Sequence, residues 1–197
     1  QRAVAVMAEV LGEIGGAIIH FSTDYVYNPK HDRANVESDP TNPANVYAAS
    51  KLAGEQILRS SDIPHIILRT SWVYGINGNN FVKTMIRLGR DRESLRIVAD
   101  QIGSPTSAFT LAQVVEGILR QGAADPVRFL KDKEGVYNIS DSGLTSWHEF
   151  SQEIFRQARH LGIELKVRDI EGIKTEEYKT PASRPLNSRL SLDKIAK

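Results

Sequence analysis

The chain has 197 residues, of which 41% are hydrophobic and 25% are charged, which suits one compact domain or one domain with a small lobe. The 25 basic and 24 acidic residues are spread along the chain, without the basic arm or stripe that is typical of nucleic-acid binding. The absence of cysteine excludes disulfides, thiol catalysis and zinc–thiolate sites, and no apolar run approaches the roughly 20 residues that span a bilayer. We therefore expect a cytoplasmic protein without a nucleic-acid or membrane partner.

Hydrophobic spacing predicts helices that alternate with short apolar strands. The predicted helices cover residues 2–14, about 45–60, 81–90, 110–120 and 147–161, and a short helix ends the chain. The predicted strands cover residues 17–21, 65–70, 95–99, 135–139 and 165–170, whereas residues 28–45 form a long loop and residues 172–189 are irregular. This alternation predicts an α/β fold with a largely parallel sheet.

Polar residues follow three of the predicted strands at their carboxyl ends. They are Ser22-Thr23-Asp24, Ser71-Trp72 and Asp100-Gln101. Ligands of parallel α/β sheets bind beyond the carboxyl ends of the strands. The three clusters therefore predict a binding site at this edge of the sheet.

Tyr47 and Lys51 lie four residues apart in the second predicted helix, which either Asn42-Pro43 or Asn45 can begin. Residues at this spacing share one helix face, so a phenol and an ammonium can act on the same ligand. A phenol with a pKa of about 10 is a poor proton donor or acceptor at neutral pH, but a nearby cation stabilises the phenolate and lowers that pKa. A simpler interpretation pairs Lys51 with Glu55, four residues further on.

Seven segments, in order along nearly the whole chain, resemble the extended short-chain dehydrogenase/reductase superfamily and, within it, the dTDP-4-dehydrorhamnose reductase family. They are FSTDYVY (21–27), DPTNPANVY (39–47), SKLAGE (50–55), LRTSWVYG (68–75), NFVKTM (80–85), VADQIGSPT (98–106) and TPASRPLNSRL (180–190). The resemblance implies a Rossmann-like, largely parallel sheet with helices on both faces and a small C-terminal substrate-binding lobe. It assigns residues 1–125 to the dinucleotide-binding domain, with substrate-lobe segments at about 75–107, and residues 126–197 mainly to the substrate-binding region.

The implied reaction is reduction of the 4-keto group of a dTDP-sugar by NADPH or NADH. Under this resemblance Tyr47 is the general acid at the C4 oxygen, and Lys51 binds the nicotinamide ribose and lowers the pKa of the tyrosine. Thr23 hydrogen-bonds the substrate oxygen, and Phe21 contacts the nicotinamide through its backbone. Hydride addition builds negative charge on that oxygen, which such donors stabilise.

The resemblance also implies a set of substrate-binding residues. They are Thr23, Asp24, Trp72, Asn80, Gln101 and Arg184. Asp24 would touch the sugar or its site, Trp72 would line the sugar pocket, and Arg184 would suit a pyrophosphate. Simpler interpretations stay open: Thr23 and Asp24 suit the end of a strand, Trp72 suits a core, and Gln101 and Arg184 suit surface polar contacts.

The glycine-rich turn that holds a cofactor pyrophosphate in such sheets is not found in this sequence, since Gly12, Gly15 and Gly16 follow a helix rather than a strand. We therefore expect that an N-terminal portion is missing and that the 197-residue polypeptide alone binds NADPH weakly.

Two alternatives stay open from the sequence: a nucleotide-sugar epimerase or dehydratase of the same superfamily, and a non-catalytic regulatory or binding subunit. Dehydratases of this superfamily typically carry Asp-Glu after the threonine, whereas Tyr25 follows Asp24 here. The resemblance also leaves open a homodimer and a Mg²⁺ ion, for which no carboxylate cluster can be assigned.

Overall fold

A computed structural model describes residues 2–27 and 31–197. The helices are α1 (Arg2–Glu13), α2 (Val46–Arg59), α3 (Phe81–Asp91), α4 (Ala108–Gln121), α5 (Pro126–Asp132) and α6 (Trp147–His160). The strands are β1 (Ile18–Thr23), β2 (His65–Thr70), β3 (Val73–Tyr74), β4 (Ser94–Val98), β5 (Ile102–Gly103), β6 (Thr106–Ser107), β7 (Gly135–Ile139), β8 (Thr145–Ser146) and β9 (Asp169–Ile173). The predicted α/β fold is confirmed.

The main sheet is parallel and has the strand order β1-β2-β7. Successive side chains of a strand point to opposite faces, and β2 is buried along its whole length. Ile67 accordingly packs with residues of α1 and α2 on one face, whereas Ile66 and Leu68 pack with residues of α4 and α5 on the other. Burial on both faces explains why β2 reads as a continuous apolar run.

A second, smaller lobe is built on the parallel pair β4 and β9. Its core contains Leu95 and Ile97 from β4, Met85 from α3, and Ile154 and Phe155 from α6. Helix α5 and strand β7 belong to the main sheet layer, although they lie in sequence between β4 and α6 of the second lobe. The chain therefore passes from one lobe to the other more than once. The division of the chain at residue 125 stays a prediction.

The last strand was predicted at residues 165–170 but lies at Asp169–Ile173, because the ladder with β4 begins only at Asp169, opposite Ser94. Before that point, the amides of Lys166 and Val167 bind the carbonyl of Gly89 in α3 at 2.8 and 3.0 Å. Val167 is 1% exposed, so the apolar spacing there reflects packing on a helix rather than strand pairing.

Two further elements differ from the sequence prediction. Helix α5 was not predicted, although Asp125 caps it and Pro126 occupies its first turn, a common start signal. The predicted terminal helix is a turn at residues 193–196, with one helical hydrogen bond from the Ala196 amide to the Leu192 carbonyl. Of the predicted loop 28–45, residues 28–30 lie outside the described residues.

No helix within the described ranges combines the length and the apolar character that crossing a membrane requires.

Candidate active site

The carboxyl end of β1 buries two polar side chains next to each other. Thr23 and Asp24 are 5% and 3% exposed, and the Thr23 hydroxyl donates to Asp24 Oδ1 over 3.1 Å. The Tyr25 amide donates to Thr23 Oγ1 over 3.2 Å, which caps a short 3₁₀ turn at Asp24–Val26. The strand-end interpretation of Thr23 therefore holds structurally, and it leaves the threonine at the edge where a ligand is expected.

Helix α2 places Tyr47 and Lys51 beside this strand end. Asn45 caps the helix by accepting a hydrogen bond from the Ala48 amide, so of the two predicted starts the helix uses Asn45. The Lys51 ammonium donates to the Phe21 carbonyl of β1 over 2.5 Å. Tyr47 is 55% exposed, and its ring meets the Tyr25 ring edge-on at 6.1 Å. The phenol, the ammonium and the Thr23 hydroxyl are thus brought to one corner of the sheet.

The ammonium of Lys51 lies against β1 rather than in open solvent. Burial lowers the pKa of Lys51, and the carboxylate of Glu55 opposes that change. One N–H of the ammonium is used by Phe21, and an ammonium has three donors. Two donors are therefore left for a ligand beside Tyr47.

The interpretation that pairs Lys51 with Glu55 was wrong. Glu55 is fully buried and accepts from Arg69 Nε at 3.0 Å and Nη2 at 2.6 Å. The Ser22 hydroxyl donates to the same carboxylate over 2.5 Å, and the Arg69 guanidinium lies over the Tyr27 ring at 4.7 Å. This buried cluster fixes α2 to β1 and β2 directly beneath the site. The sequence analysis missed it, although an arginine inside an apolar strand is the signal that could have found it.

Asp24 is the most perturbed carboxyl group in the candidate site. Burial raises the pKa of Asp24 to about 7, with the hydroxyls of Ser188 and Thr23 opposing the rise. Its Oδ2 atom has no hydrogen-bond partner among the described residues. A buried carboxyl with a free oxygen suits a ligand hydroxyl, either as donor or as acceptor.

Trp72 follows β2 at the same edge of the sheet, and its backbone φ is 47°. Its indole stacks on that of Trp147, the first residue of α6, with 3.6 Å between ring centroids and 14° between planes. The structure thus places Trp72 beside the site and in contact with the second lobe. This position is compatible with both interpretations of Trp72, as part of the sugar pocket and as part of a core. Trp147 is a further residue that the sequence analysis did not single out.

The three remaining predicted residues occupy different environments. Asn80 caps α3 by accepting from the Lys83 amide at 3.1 Å, and it donates to the Gly75 carbonyl at 2.7 Å. Gln101 is 5% exposed and forms part of the wall of a cavity of about 200 Å³. Arg184 lines the same cavity, and the carbonyl of the preceding residue, Ser183, accepts a hydrogen bond from Asn45 Nδ2 over 2.9 Å. The structure therefore holds the backbone beside Arg184 at the start of α2, and it uses Asn80 as a helix cap.

Within residues 2–27 and 31–197, no group of three or more His, Asp or Glu side chains is arranged to hold a metal ion. The Mg²⁺ suggestion therefore gains no support from these residues. The site instead contains three hydrogen-bond donors: an exposed phenol, an ammonium and a buried hydroxyl. Such a set can stabilise and protonate a developing oxyanion.

Comparisons with known proteins agree with the α/β fold of this chain. The family model described as RmlD substrate binding domain matches residues 1–197. The dTDP-4-dehydrorhamnose reductase of Shigella flexneri is 42% identical over 192 residues, which cover 98% of this chain and 62% of that protein. The solved reductase from Clostridium acetobutylicum is 35% identical with a TM-score of 0.84, and the match covers 98% of this chain and 63% of that one.

The Bacillus anthracis reductase, solved in complex with NADP, is also 35% identical, with a TM-score of 0.82 over 98% of this chain and 63% of that chain. The chain therefore spans 62–63% of the length of these relatives. Because the family model covers the whole sequence, the chain belongs to the RmlD substrate binding domain family.

Proposed function

We propose that the natural protein carrying this sequence reduces the 4-keto group of dTDP-4-dehydro-L-rhamnose to give dTDP-L-rhamnose, a precursor of cell-surface polysaccharide, with NADPH or NADH as reductant. The observation that carries the proposal is the meeting of Thr23, Tyr47 and Lys51 at the carboxyl end of β1. The names of the relatives support the substrate, and the NADP complex of one relative supports the cofactor. A cytoplasmic location and a homodimer stay predictions.

In this reaction Tyr47 donates its phenolic proton to the C4 oxygen of the substrate. Its exposed side chain leaves the hydroxyl accessible to a ligand. The Thr23 hydroxyl turns its one proton from Asp24 Oδ1 to the same oxygen, and the positive charge of Lys51 stabilises the phenolate that remains. Each group acts where negative charge develops, so each contributes more to the transition state than to the ground state.

The residues present fit the nicotinamide end of the cofactor, which when bound supplies the hydride. Lys51 has two N–H donors beyond the one used by the Phe21 carbonyl, and ribose hydroxyls are suitable acceptors for them. The backbone of Phe21 lies next to the same ammonium. The cofactor contacts proposed for Tyr47, Lys51 and Phe21 are therefore mutually compatible.

The proposed substrate contacts surround this corner. Asp24 offers its unpaired Oδ2 to a sugar hydroxyl, Trp72 offers an aromatic face to the sugar ring, and Arg184 offers a guanidinium to the diphosphate. Asn80 and Gln101 were predicted to bind the nucleotide, but their side chains already bind protein groups. We therefore propose that both support the site indirectly.

The residue that follows Asp24 is Tyr25, and its environment favours a reductase over a dehydratase. Burial, followed by the charge of Asp24, raises the pKa of Tyr25 to about 12. A phenol with that pKa is a poor substitute for the second carboxylate that dehydratases of this superfamily typically carry here. The presence of Thr23, Tyr47 and Lys51 at one corner of the sheet likewise favours an enzyme over a non-catalytic subunit.

The test is consumption of NADPH by the natural protein in the presence of dTDP-4-dehydro-L-rhamnose. Tyr47→Phe should lower kcat by about 10²–10⁴-fold, the usual contribution of a general acid. Tyr137→Phe is the matched control, because the Tyr137 hydroxyl in β7 binds the Lys133 carbonyl, and we expect it to retain full activity. Conversion of the substrate without net NADPH consumption, or full activity in Tyr47→Phe, would contradict the proposal.

A further inference from the structure

Trp72 is held in an unusual backbone conformation next to the proposed catalytic corner. It follows Thr70 by two residues, and Thr70 is paired with Thr23 across β1 and β2. It is the only non-glycine residue with a positive φ in the described part of the chain. A bulky side chain rarely adopts this conformation, which persists when the surroundings determine it. The placement of this indole therefore needs a structural cause.

Two neighbours confine the Trp72 ring. Trp147 covers one side through the stack at 3.6 Å. The ring also runs against Gly103 of β5, where an added Cβ would lie 2.9 Å from Trp72 Cε2. The position of Trp72 is thus set by the first residue of α6 and by a glycine that leaves room for the indole.

Trp147 is itself fixed by a chain of hydrogen bonds through Gln101. The indole Nε1 of Trp147 donates to Gln101 Oε1 over 3.1 Å, and Gln101 Nε2 donates to Thr175 Oγ1 over 3.1 Å. The Thr175 hydroxyl donates to Asp100 over 2.6 Å. Both ends of the Gln101 amide are therefore occupied by the protein, and behind the indole the ring of Phe81 packs at 4.5 Å.

We propose that Trp147 is a positioning residue, which Gln101 locks in place so that Trp72 presents its indole to the sugar ring of the substrate. The proposal deepens the proposed function, because it rests on Trp72 lining the sugar pocket. It gives Gln101 an indirect role, through Trp147, in place of a direct contact with the nucleotide. The affinity of the site for the sugar nucleotide then depends on a residue of the second lobe that acts through Trp72.

Circular dichroism tests the stack without any substrate. Two stacked indoles couple their transitions and give a far-ultraviolet exciton couplet that requires both rings. Trp72→Phe and Trp147→Phe in the natural protein should therefore remove the same couplet. Gln101→Met keeps the side-chain length but removes the acceptor for Trp147 Nε1, and it should weaken the couplet. A couplet that survives Trp147→Phe overturns the proposal.

Steady-state kinetics separate positioning from a merely structural role. Trp147→Leu removes the aromatic partner of Trp72, and it should raise KM for the sugar nucleotide by roughly 3–10-fold, the range expected for loss of one aromatic pair, while KM for NADPH stays unchanged. Phe150→Leu is the matched control, because Phe150 belongs to the same aromatic cluster and contacts Trp147 with 6.4 Å between ring centroids. We expect it to lower thermal stability while both the couplet and the KM for the sugar nucleotide are retained.

An unchanged KM in Trp147→Leu, or an equal rise in Phe150→Leu, overturns the proposal. If the wild-type protein does not reduce the keto sugar, the proposed function fails separately. The couplet still reports the stack in that case, and calorimetric binding of a dTDP-sugar replaces KM. Equal affinities of wild type and Trp147→Leu then overturn the positioning role.

Discussion

The buried ion pair beneath the candidate site allows a quantitative stability prediction. Glu55 and Arg69 are 0% and 2% exposed at the side chain and approach to 2.6 Å. The Glu55→Gln variant keeps the size of the side chain and removes its charge. It leaves the Arg69 guanidinium in the interior without a counter-ion, and its Nη1 atom already has no partner within the described ranges.

The expected loss follows from the burial of the pair. Removing one partner of a buried ion pair lowers the free energy of unfolding by about 3–5 kcal/mol, because the remaining charge is uncompensated. With a urea m-value of about 2 kcal/mol/M, this corresponds to a fall of about 1.5–2.5 M in the unfolding midpoint. Replacing both Glu55 and Arg69 by Met removes both charges, so we expect the double variant to recover most of the loss.

The assay is urea unfolding followed by circular dichroism. Glu153→Gln is the control. Glu153 pairs with Arg156 at 2.7 Å, close to the 2.6 Å of the buried pair, but the side chains of Glu153 and Arg156 are 51% and 65% exposed. Surface pairs contribute little, so its midpoint should match that of the wild type. The reasoning is refuted if Glu55→Gln shifts the midpoint no more than Glu153→Gln, or if the double variant is as unstable as the single one.

Two further predictions concern Asp24 and Asn80. The pKa of Asp24 is raised to about 7 in the folded state and is about 3.9 in the unfolded state. Between these two pH values the folded protein therefore binds more protons than the unfolded chain. The free energy of unfolding consequently falls as the pH rises from about 4 to 7. Asp24→Asn should remove this dependence and raise the urea midpoint at pH 8 more than at pH 5; equal shifts would contradict it. Asn80→Ala removes the cap of α3 and should lower the free energy of unfolding by about 1 kcal/mol while KM for the sugar nucleotide is retained. A raised KM would instead indicate a direct substrate contact.

The parts of the site that could be predicted lie close together in sequence. Tyr47 and Lys51 are one helical turn apart, and Asn45 is a local cap, so periodicity and capping rules place them before any tertiary contact is known. The buried strand β2 was predicted with its observed bounds, because burial on both faces gives an uninterrupted apolar run. Local rules failed at residues 165–168, where apolar spacing came from packing against α3.

The contacts that could not be predicted join residues far apart in the chain. Glu55 binds Arg69 fourteen positions away, and Gln101 binds Trp147 forty-six positions away. A pattern in one segment does not reveal which distant group will satisfy a buried polar side chain, since several partners are chemically equivalent until the fold selects one. For this reason Glu55 was paired with Lys51, and the bond between Gln101 and Trp147 was not predicted.

The burial of Asp24 shows how the last part of the chain completes the site. Residues 186–191 run between the two lobes: the Ile102 amide binds the Leu186 carbonyl on one side, and the Asn35 amide binds the Arg189 carbonyl on the other. This segment carries Ser188, which is 2% exposed and whose hydroxyl acts on Asp24. Because that hydroxyl holds the pKa of Asp24 below the value that burial alone would give, the charge of Asp24 depends on a segment more than 160 positions away in sequence. A change in how this segment is held would therefore alter the charge of Asp24 as well as the shape of the pocket.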